Sequence, residues 1–352
     1  MIKIAFLGDI SFNDDYIELR KEGINPFREI IPLLKELDFV VGNLECIAEG
    51  NEGENKLKTP RLKTNIDTLN YLKELNVSIV TLSNNHVYDQ LASGFLNTTN
   101  FLTQNSINYL GANLLKEEAE KPILIEKNNQ RICFLSYVHE DTNPKLPVDC
   151  TLFLNKYNKN QIINDIEKYK KEKYFVILLF HWGGRFEGGL YPDKYQYHDA
   201  KEFIKYGADL IIGHHSHTLQ PFEKVSGKHV FYSLGNFCFA NILSDGKLKK
   251  ILNNPRYTKS VILILKVSID GNYSIEIIPI KNKGLHIIPL KQFRLLGPKM
   301  KNFCFRALRN FEIFWIVYSF KYKSINPYIR MLYTFKDISY VKRITDFFKI
   351  NK

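Results

Sequence analysis

The amino-acid sequence predicts an α/β fold, and three observations carry that reading. Apolar runs without alternation recur at residues 2–8, Phe39–Leu44, Val77–Leu82, Arg131–Tyr137, Tyr174–Phe180, Asp209–Ile212 and His229–Leu234. Runs of this kind are expected of strands covered on both faces. Helical spacing, with apolar residues three and four apart, lies between several of them, as in Ile66–Leu75 and Ala200–Tyr206. Each strand run also ends in a cluster of polar residues, as strands do when a sheet carries a ligand at its carboxyl rim.

Taken in order, the elements fall into three zones. Residues 1–255 alternate strand and helix patterns. Within them Glu49–Lys58 (EGNEGENKLK) reads as a solvated loop by composition. Val261–Val267 and Tyr273–Ile280 are then β-rich and joined by Asp270-Gly271-Asn272, a hairpin signal. Residues 291–352 read as helical behind a break at Gly297-Pro298. The expected organisation is a domain over 1–290 followed by a helical extension over 291–352.

Composition narrows the classes. The chain has 352 residues, of which 45% are hydrophobic and 24% charged. With 47 Phe, Tyr and Trp it is not a disordered chain. No run of 18 uncharged apolar residues is present, so no transmembrane helix is expected. The N-terminal MIKIAFLGDISF passes straight into a strand pattern and does not resemble a secretory signal. Five scattered cysteines without a CxxC pair fit a reduced, cytoplasmic chain.

The net charge of +12 is unevenly placed. Residues 291–352 hold 14 basic and 3 acidic residues, whereas the first 290 hold 35 and 34. Nucleic-acid binding by the body is therefore disfavoured, since it carries no excess charge to follow a phosphate backbone. The apolar stretch 311–320 is flanked by Arg306, Arg309, Lys321 and Lys323. It is too short to span a bilayer, which takes ~20 helical residues, but long enough to lie in an interface. Peripheral membrane contact through 291–352 is one expectation; a helix packed on the body is the other.

The chemistry sits at the strand ends. Gly8-Asp9 closes the first run, Asn43-Leu44-Glu45 the second, and Asn84-Asn85-His86 the third, with Asp89 just beyond. His181-Trp182-Gly183, Gly213-His214-His215-Ser216-His217 and Gly235-Asn236 close later ones. Carboxylates and amides supply hard oxygen donors, and imidazole suits Zn, Mn or Fe. His215 and His217, two apart on an extended segment, would point to one side. The mixed set suits a two-metal hydrolytic site, which polarises a phosphoryl oxygen and activates water. Singly, Asp9 could be a helix cap, Glu45 a surface carboxylate and His181 a core imidazole; it is their convergence that points to metal.

These motifs resemble the bacterial capsule synthesis family that includes the poly-gamma-glutamate synthesis proteins. The resemblance rests on GD at 8–9, NLE at 43–45, LSNNHVYDQ at 82–90, HWG at 181–183, Pro192 with Gln196, GADLIIGHHSHTLQPFE at 207–223 and YSLGNF at 232–237. It covers roughly residues 1–280. The resemblance implies kinship with calcineurin-like metallophosphoesterases: two packed mixed β-sheets flanked by helices, a four-layer sandwich with two divalent metals. It implies Asp9, Glu45, Asn85, His181, His215 and His217 as metal ligands. His86 is implied as the residue that protonates the leaving group or binds phosphoryl oxygens, and Asp89 is read here as orienting it. Two positions depart from that pattern. Ser11 stands where phosphoesterases usually have His, and Asn43 or Glu45 stands for the bridging Asp. Members acting in poly-gamma-glutamate synthesis are anchored outside the membrane by an N-terminal apolar segment, which this sequence lacks.

Three functions are therefore expected to compete. The first is a metal-dependent hydrolase of cell-surface polymer metabolism, cutting a phosphoester or a related bond. The second is a non-catalytic accessory that binds an anionic polymer. The third is a metal-dependent nuclease, which the neutral body disfavours.

Overall fold

The computed structural model describes residues 1–291 and 297–321. In chain order the strands are β1 (Ile2–Ile10), β2 (Phe39–Leu44), β3 (Ile79–Thr81), β4 (Asn108–Leu110), β5 (Ala112–Asn113), β6 (Ile123–Lys127), β7 (Gln130–Val138), β8 (Phe153–Leu154) and β9 (Phe175–His181). They continue as β10 (Leu210–His214), β11 (Phe222–Val225), β12 (Lys228–Phe231), β13 (Asn236–Cys238), β14 (Ile242–Ser244), β15 (Lys247–Lys249), β16 (Lys259–Val267), β17 (Tyr273–Lys283) and β18 (His286–Pro289). The helices are α1 (Asp15–Lys21), α2 (Ile31–Lys35), α3 (Asn70–Glu74), α4 (Leu91–Gln104), α5 (Lys116–Glu120), α6 (Lys159–Lys171), α7 (Lys194–Lys205), α8 (Gly297–Leu308) and α9 (Glu312–Phe320).

Two mixed sheets form the body. One has eight strands in the order β18-β17-β16-β1-β2-β3-β4, with β13 also pairing with β1. The other has six, in the order β11-β12-β10-β9-β7-β6. Side-chain alternation explains why they pack. Ile2, Ile4 and Phe6 of β1 enter a core shared with Ile132 and Phe134 of β7, Ile177 and Leu179 of β9, and Leu210 and Ile212 of β10. Ala5 and Leu7, between them, face the opposite way into a core with Leu34 of α2, Tyr71 and Leu72 of α3, and Phe95 and Phe101 of α4. On the second sheet, Phe180 of β9 stacks on Phe203 of α7. Helix, sheet, sheet and helix are thus the four layers that the family resemblance implies. Both faces of the central strands are covered, which is why their runs do not alternate.

Some local expectations shift. The Ile66–Leu75 pattern yields a helix only at Asn70–Glu74. Before it, Asn65 Oδ1 accepts from the Thr68 backbone N–H at 2.8 Å, so a side chain competes for the backbone and the segment forms turns. The hairpin at 270–272 joins β16 to β17, with Val267 opposite Tyr273. The Glu49–Lys58 stretch is not simply solvated: Asn55 and Lys58 are 1% and 9% exposed.

The chain divides into two compact units, Met1–Phe305 and Arg306–Lys352. The expected boundary at 290 falls inside the first. Phe305 is fully buried there, with ring centroids 5.5 Å from Tyr232 and 6.0 Å from both Tyr191 and Tyr197. In the extension, α8 and α9 are helical; Lys323 and the rest of 322–352 lie outside the described residues. Among the described residues no helix is long and apolar enough to cross a membrane.

Candidate metal centre

Both sheets bring their strand ends to one rim. In the first, Asp9 of β1 sits in register with Asn43 of β2 and Asn236 of β13. In the second, His181 of β9 sits opposite His214 of β10. Parallel pairing places these residues at the same ends of adjacent strands, so a convergence scattered over more than 220 residues of sequence becomes a single cluster.

Close backbone approach makes the first half possible. A Cβ on Gly8 would lie 1.9 Å from the Gly235 carbonyl oxygen, so only glycine fits. The next residue then donates its backbone N–H to that same carbonyl at 3.0 Å, which fixes Asp9. The third-strand loop is tied by Asn84. Its amide donates to Leu44 O at 2.8 Å, while its Oδ1 accepts from the His86 N–H at 2.9 Å. That clamp aims Asn85 and His86 inward.

Buried carboxylates and imidazoles meet at the centre. Asp9, Glu45 and His181 each offer a donor atom within 4.8 Å of the others, and all three are buried. Asn43 Nδ2 lies 2.8 Å from Asp9 Oδ1, 3.2 Å from Glu45 Oε1 and 3.3 Å from His181 Nδ1. His181 Nε2 lies 2.8 Å from Asn85 Oδ1 and 3.0 Å from His215 Nδ1. His217 Nδ1 lies 3.4 Å from Asp9 Oδ2 and 2.9 Å from Asn236 Oδ1, and its Nε2 lies 3.9 Å from Glu45 Oε2. All six residues expected as ligands are therefore gathered in one cluster.

The route by which His215 and His217 arrive differs from the expectation. β10 ends at His214, and the two residues are not extended but left-handed, with φ of 88° and 57°. Such conformations cost about 1–3 kcal/mol each and persist only where their surroundings hold them. Here Asp9 accepts from the His215 backbone N–H at 3.3 Å. The turn, not a strand's two-residue repeat, brings both rings to the cluster.

A second group adjoins the first. His86 Nδ1 is 2.5 Å from Asp89 Oδ2, which also accepts from the Leu62 N–H at 2.7 Å. Lys58 Nζ is 3.2 Å from Asp89 Oδ1 and 3.3 Å from His86 Nδ1, and it donates to the Asn85 carbonyl. Ser11, which stands where phosphoesterases usually have His, donates its hydroxyl to Asn13 Oδ1 at 2.7 Å.

Sequence reading passed over three contributors. His214 Nδ1 is 3.2 Å from Asp9 Oδ1, and Asn236 supports His217. Both lie within the quoted motifs, which were the available signal. Lys58 had none, because its neighbours are those of a solvated loop.

The electrostatics describe a site that attracts cations. Burial would raise Asp9, but hydrogen bonds and charge from His214 and His217 outweigh it and hold the carboxyl well below its usual range. Burial and then the Asp9 charge push Glu45 well above the carboxylate range. Burial lowers His217, yet Glu45 and Asp9 carry it up to about 9. His181 is pushed well down by burial and the nearby imidazoles, and burial brings His215 down to about 4. Burial and the Lys58 charge also bring His86 down to about 4. The neutral His181 and His215 beside the ionised Asp9 are ready nitrogen and oxygen donors, and a bound cation would displace the protons that Glu45 and His217 hold. Among the described residues Glu45 Oε2 and Asn43 Oδ1 are buried without a hydrogen-bond partner, which a cation would supply. The residues present fit a divalent metal.

Comparison with known proteins agrees with the motif reading. The chain is 28% identical over 253 residues to the PGA biosynthesis protein CapA of Bacillus subtilis (strain 168), covering 68% of this chain and 63% of that protein. It is 29% identical over 220 residues to the capsule biosynthesis protein CapA of Bacillus anthracis, covering 60% of this chain and 53% of that one. The chain thus spans less than two thirds of the length of either relative. Among solved structures, a 5'-nucleotidase precursor from Thermus thermophilus superposes with a TM-score of 0.46 at 12% identity, over 81% of this chain and 55% of that chain. Residues 3–241, which hold every cluster residue described above, match the family described as bacterial capsule synthesis protein PGA_cap, and the chain belongs to that family.

Proposed function

We propose that this protein is a divalent-metal-dependent hydrolase of capsule or other cell-surface polymer metabolism, acting on a phosphoester or a related acyl or amide bond. The observation that carries the reading is the buried Asp9, Glu45 and His181 triad, whose donor atoms lie within 4.8 Å of one another. Those three would hold the metal, with Asn85, His215 and His217 completing the donor set. Bound there, a divalent cation supplies Lewis-acid polarisation of a substrate oxygen and acidifies water.

The chain's own residues supply the rest. Asp9 provides the standing negative charge, Glu45 would give up its proton to a bound cation, and the neutral His181 and His215 add nitrogen donors. Asp89 holds His86 by Nδ1, which leaves Nε2 as the ring atom for a proton at the substrate. In the absence of substrate His86 is neutral, so Nε2 accepts. An anionic substrate beside the ring favours the imidazolium and raises its pKa toward the working range, which is what a general acid needs. Lys58 anchors the Asn85 carbonyl and Asp89, so it positions both residues from outside the motif.

A second reading has one observation in its favour. Asn43, a neutral amide, lies between Asp9 and Glu45 and already binds both. A site so arranged suits an accessory that holds metal and an anionic polymer without turnover. Metal analysis of the purified protein, followed by turnover of a generic aryl phosphodiester with Mn²⁺, separates the two. Metal with turnover supports the hydrolase, and metal without turnover on any phosphoester screened supports the accessory. Full metal occupancy in both Asp9→Ala and His215→Ala would overturn the site itself.

A further inference from the structure

Outside the metal cluster, the most unusual surface lies in the second compact unit. Helix α9 is apolar around most of its circumference, yet among the described residues only one side is covered. Trp315 and Tyr318 are buried, and Trp315 Nε1 donates to the Arg309 carbonyl at 2.7 Å. Phe314 stacks on Tyr318 with ring centroids 5.9 Å apart. The opposite stripe, Ile313, Ile316, Val317 and Phe320, follows the i, i+3, i+4, i+7 pattern of one helix face. Those residues are 65%, 61%, 59% and 63% exposed. A contiguous apolar face of this kind marks an interaction surface rather than ordinary scatter.

Charge decides what covers it. Between residues 306 and 321 the only acidic residue is Glu312, whereas Arg306, Arg309 and Lys321 bracket the stripe at both ends. The segment 291–352 carries 14 basic and 3 acidic residues. A second copy brought against this face would bring the same excess of positive charge, which opposes self-association. An anionic lipid surface reverses that sign and also accepts the aliphatic and aromatic side chains. The helix has 9 residues, about 13 Å at 1.5 Å per residue, far short of the ~20 residues that span a bilayer. It fits the interface plane, where apolar side chains sink to the acyl boundary and flanking cations meet headgroups.

We propose that α9 is an interfacial docking helix for an anionic membrane surface, with Ile313, Ile316, Val317 and Phe320 inserted and Arg306 and Lys321 at headgroup level. The inference is independent of any catalytic role for the metal cluster.

The test is sedimentation of the full chain with vesicles of phosphatidylglycerol or phosphatidylcholine, at low and high salt. Binding to phosphatidylglycerol at low salt is expected, weakened at least roughly tenfold by high salt or by neutral lipid, as electrostatic attachment requires. Ile316→Asp with Val317→Asp should reduce binding at least roughly tenfold with the thermal midpoint of the body unchanged. Should that double variant aggregate, Arg306→Glu with Lys321→Glu decides the matter, because both side chains are exposed and binding must fall without loss of fold. Absence of binding to phosphatidylglycerol at low salt overturns the proposal. So does binding that neither double variant weakens, or a stripe that mediates dimers in solution and leaves vesicles untouched.

Discussion

The amide nitrogen of Asn43 lies 2.8 Å from Asp9 Oδ1, across the β1–β2 pair where the two residues are in register. A neutral group thus stands between two buried carboxylates, in place of a third. Asn43→Asp would add that charge without changing shape. The metal-free protein should lose about 3–5 kcal/mol, because an uncompensated charge is buried beside the ionised Asp9. Added Mn²⁺ should then raise its melting temperature by more than it raises that of the wild type, since binding to the native state alone stabilises by mass action. An identical Mn²⁺-dependent shift in both proteins would show that Asn43 does not set the charge of the metal site.

Lys58 and Asp89 form a buried ion pair, 5% and 0% exposed at their side chains. Lys58→Met leaves Asp89 without its cation and should cost about 3–5 kcal/mol. Adding Asp89→Asn removes the stranded charge, so the double variant should recover part of that loss, by about 1–3 kcal/mol of coupling. Chemical denaturation of the four proteins measures the cycle. Strict additivity would mean that the pair is not energetically coupled.

Lys301 is half-buried near Arg256 and Lys259, and burial followed by those charges brings its pKa down to about 8 from 10.5. Below pH 8 it is charged in both states, and folding bears the full penalty. Between pH 8 and 10.5 the unfolded chain binds the proton more strongly, so this contribution to stability rises with pH. Lys301→Met should therefore stabilise at pH 7 by about 1–2 kcal/mol, allowing for partial exposure, and the advantage should vanish by about pH 10.5. Thermal melts across that range would show it; an advantage independent of pH would point to packing instead.

Phe305 extends the body past the point where the sequence texture changes. Phe305→Ala should cost about 3–5 kcal/mol, the range for a buried aromatic. A chain ending at residue 290 should melt well below one ending at 308, because it uncovers Tyr191, Tyr197 and Tyr232. Equal midpoints would show that this contact contributes nothing.

Much of this was legible in the residues. Uninterrupted apolar runs located the central strands because both faces are covered, and the polar clusters located the rim because strands of one sheet end together. Asp9, Glu45, Asn85, His181, His215 and His217 could be gathered from those two facts and the family pattern. Other features could not. The left-handed turn through His215 and His217 meets Asp9 of β1, far away in sequence, so local spacing suggested a strand. Lys58 sits in a stretch rich in Glu, Asn and Gly, and composition reports the average of a loop rather than the one side chain that turns inward. Phe305 looked like part of a basic tail because charge balance says nothing about which aromatic finds a pocket.

The position of β1 has a consequence for synthesis. It pairs with β2 soon after emerging, but its other edge is closed by β13 and by β16, which begins only at Lys259. On the ribosome, β1 must therefore wait for some 250 further residues before its sheet is complete, and nearly as many before Asp9 meets Asn236. Until then an apolar nine-residue strand with an open edge is exposed to other nascent chains. Such late closure favours slow folding and leaves β1 open to mispairing until β16 arrives.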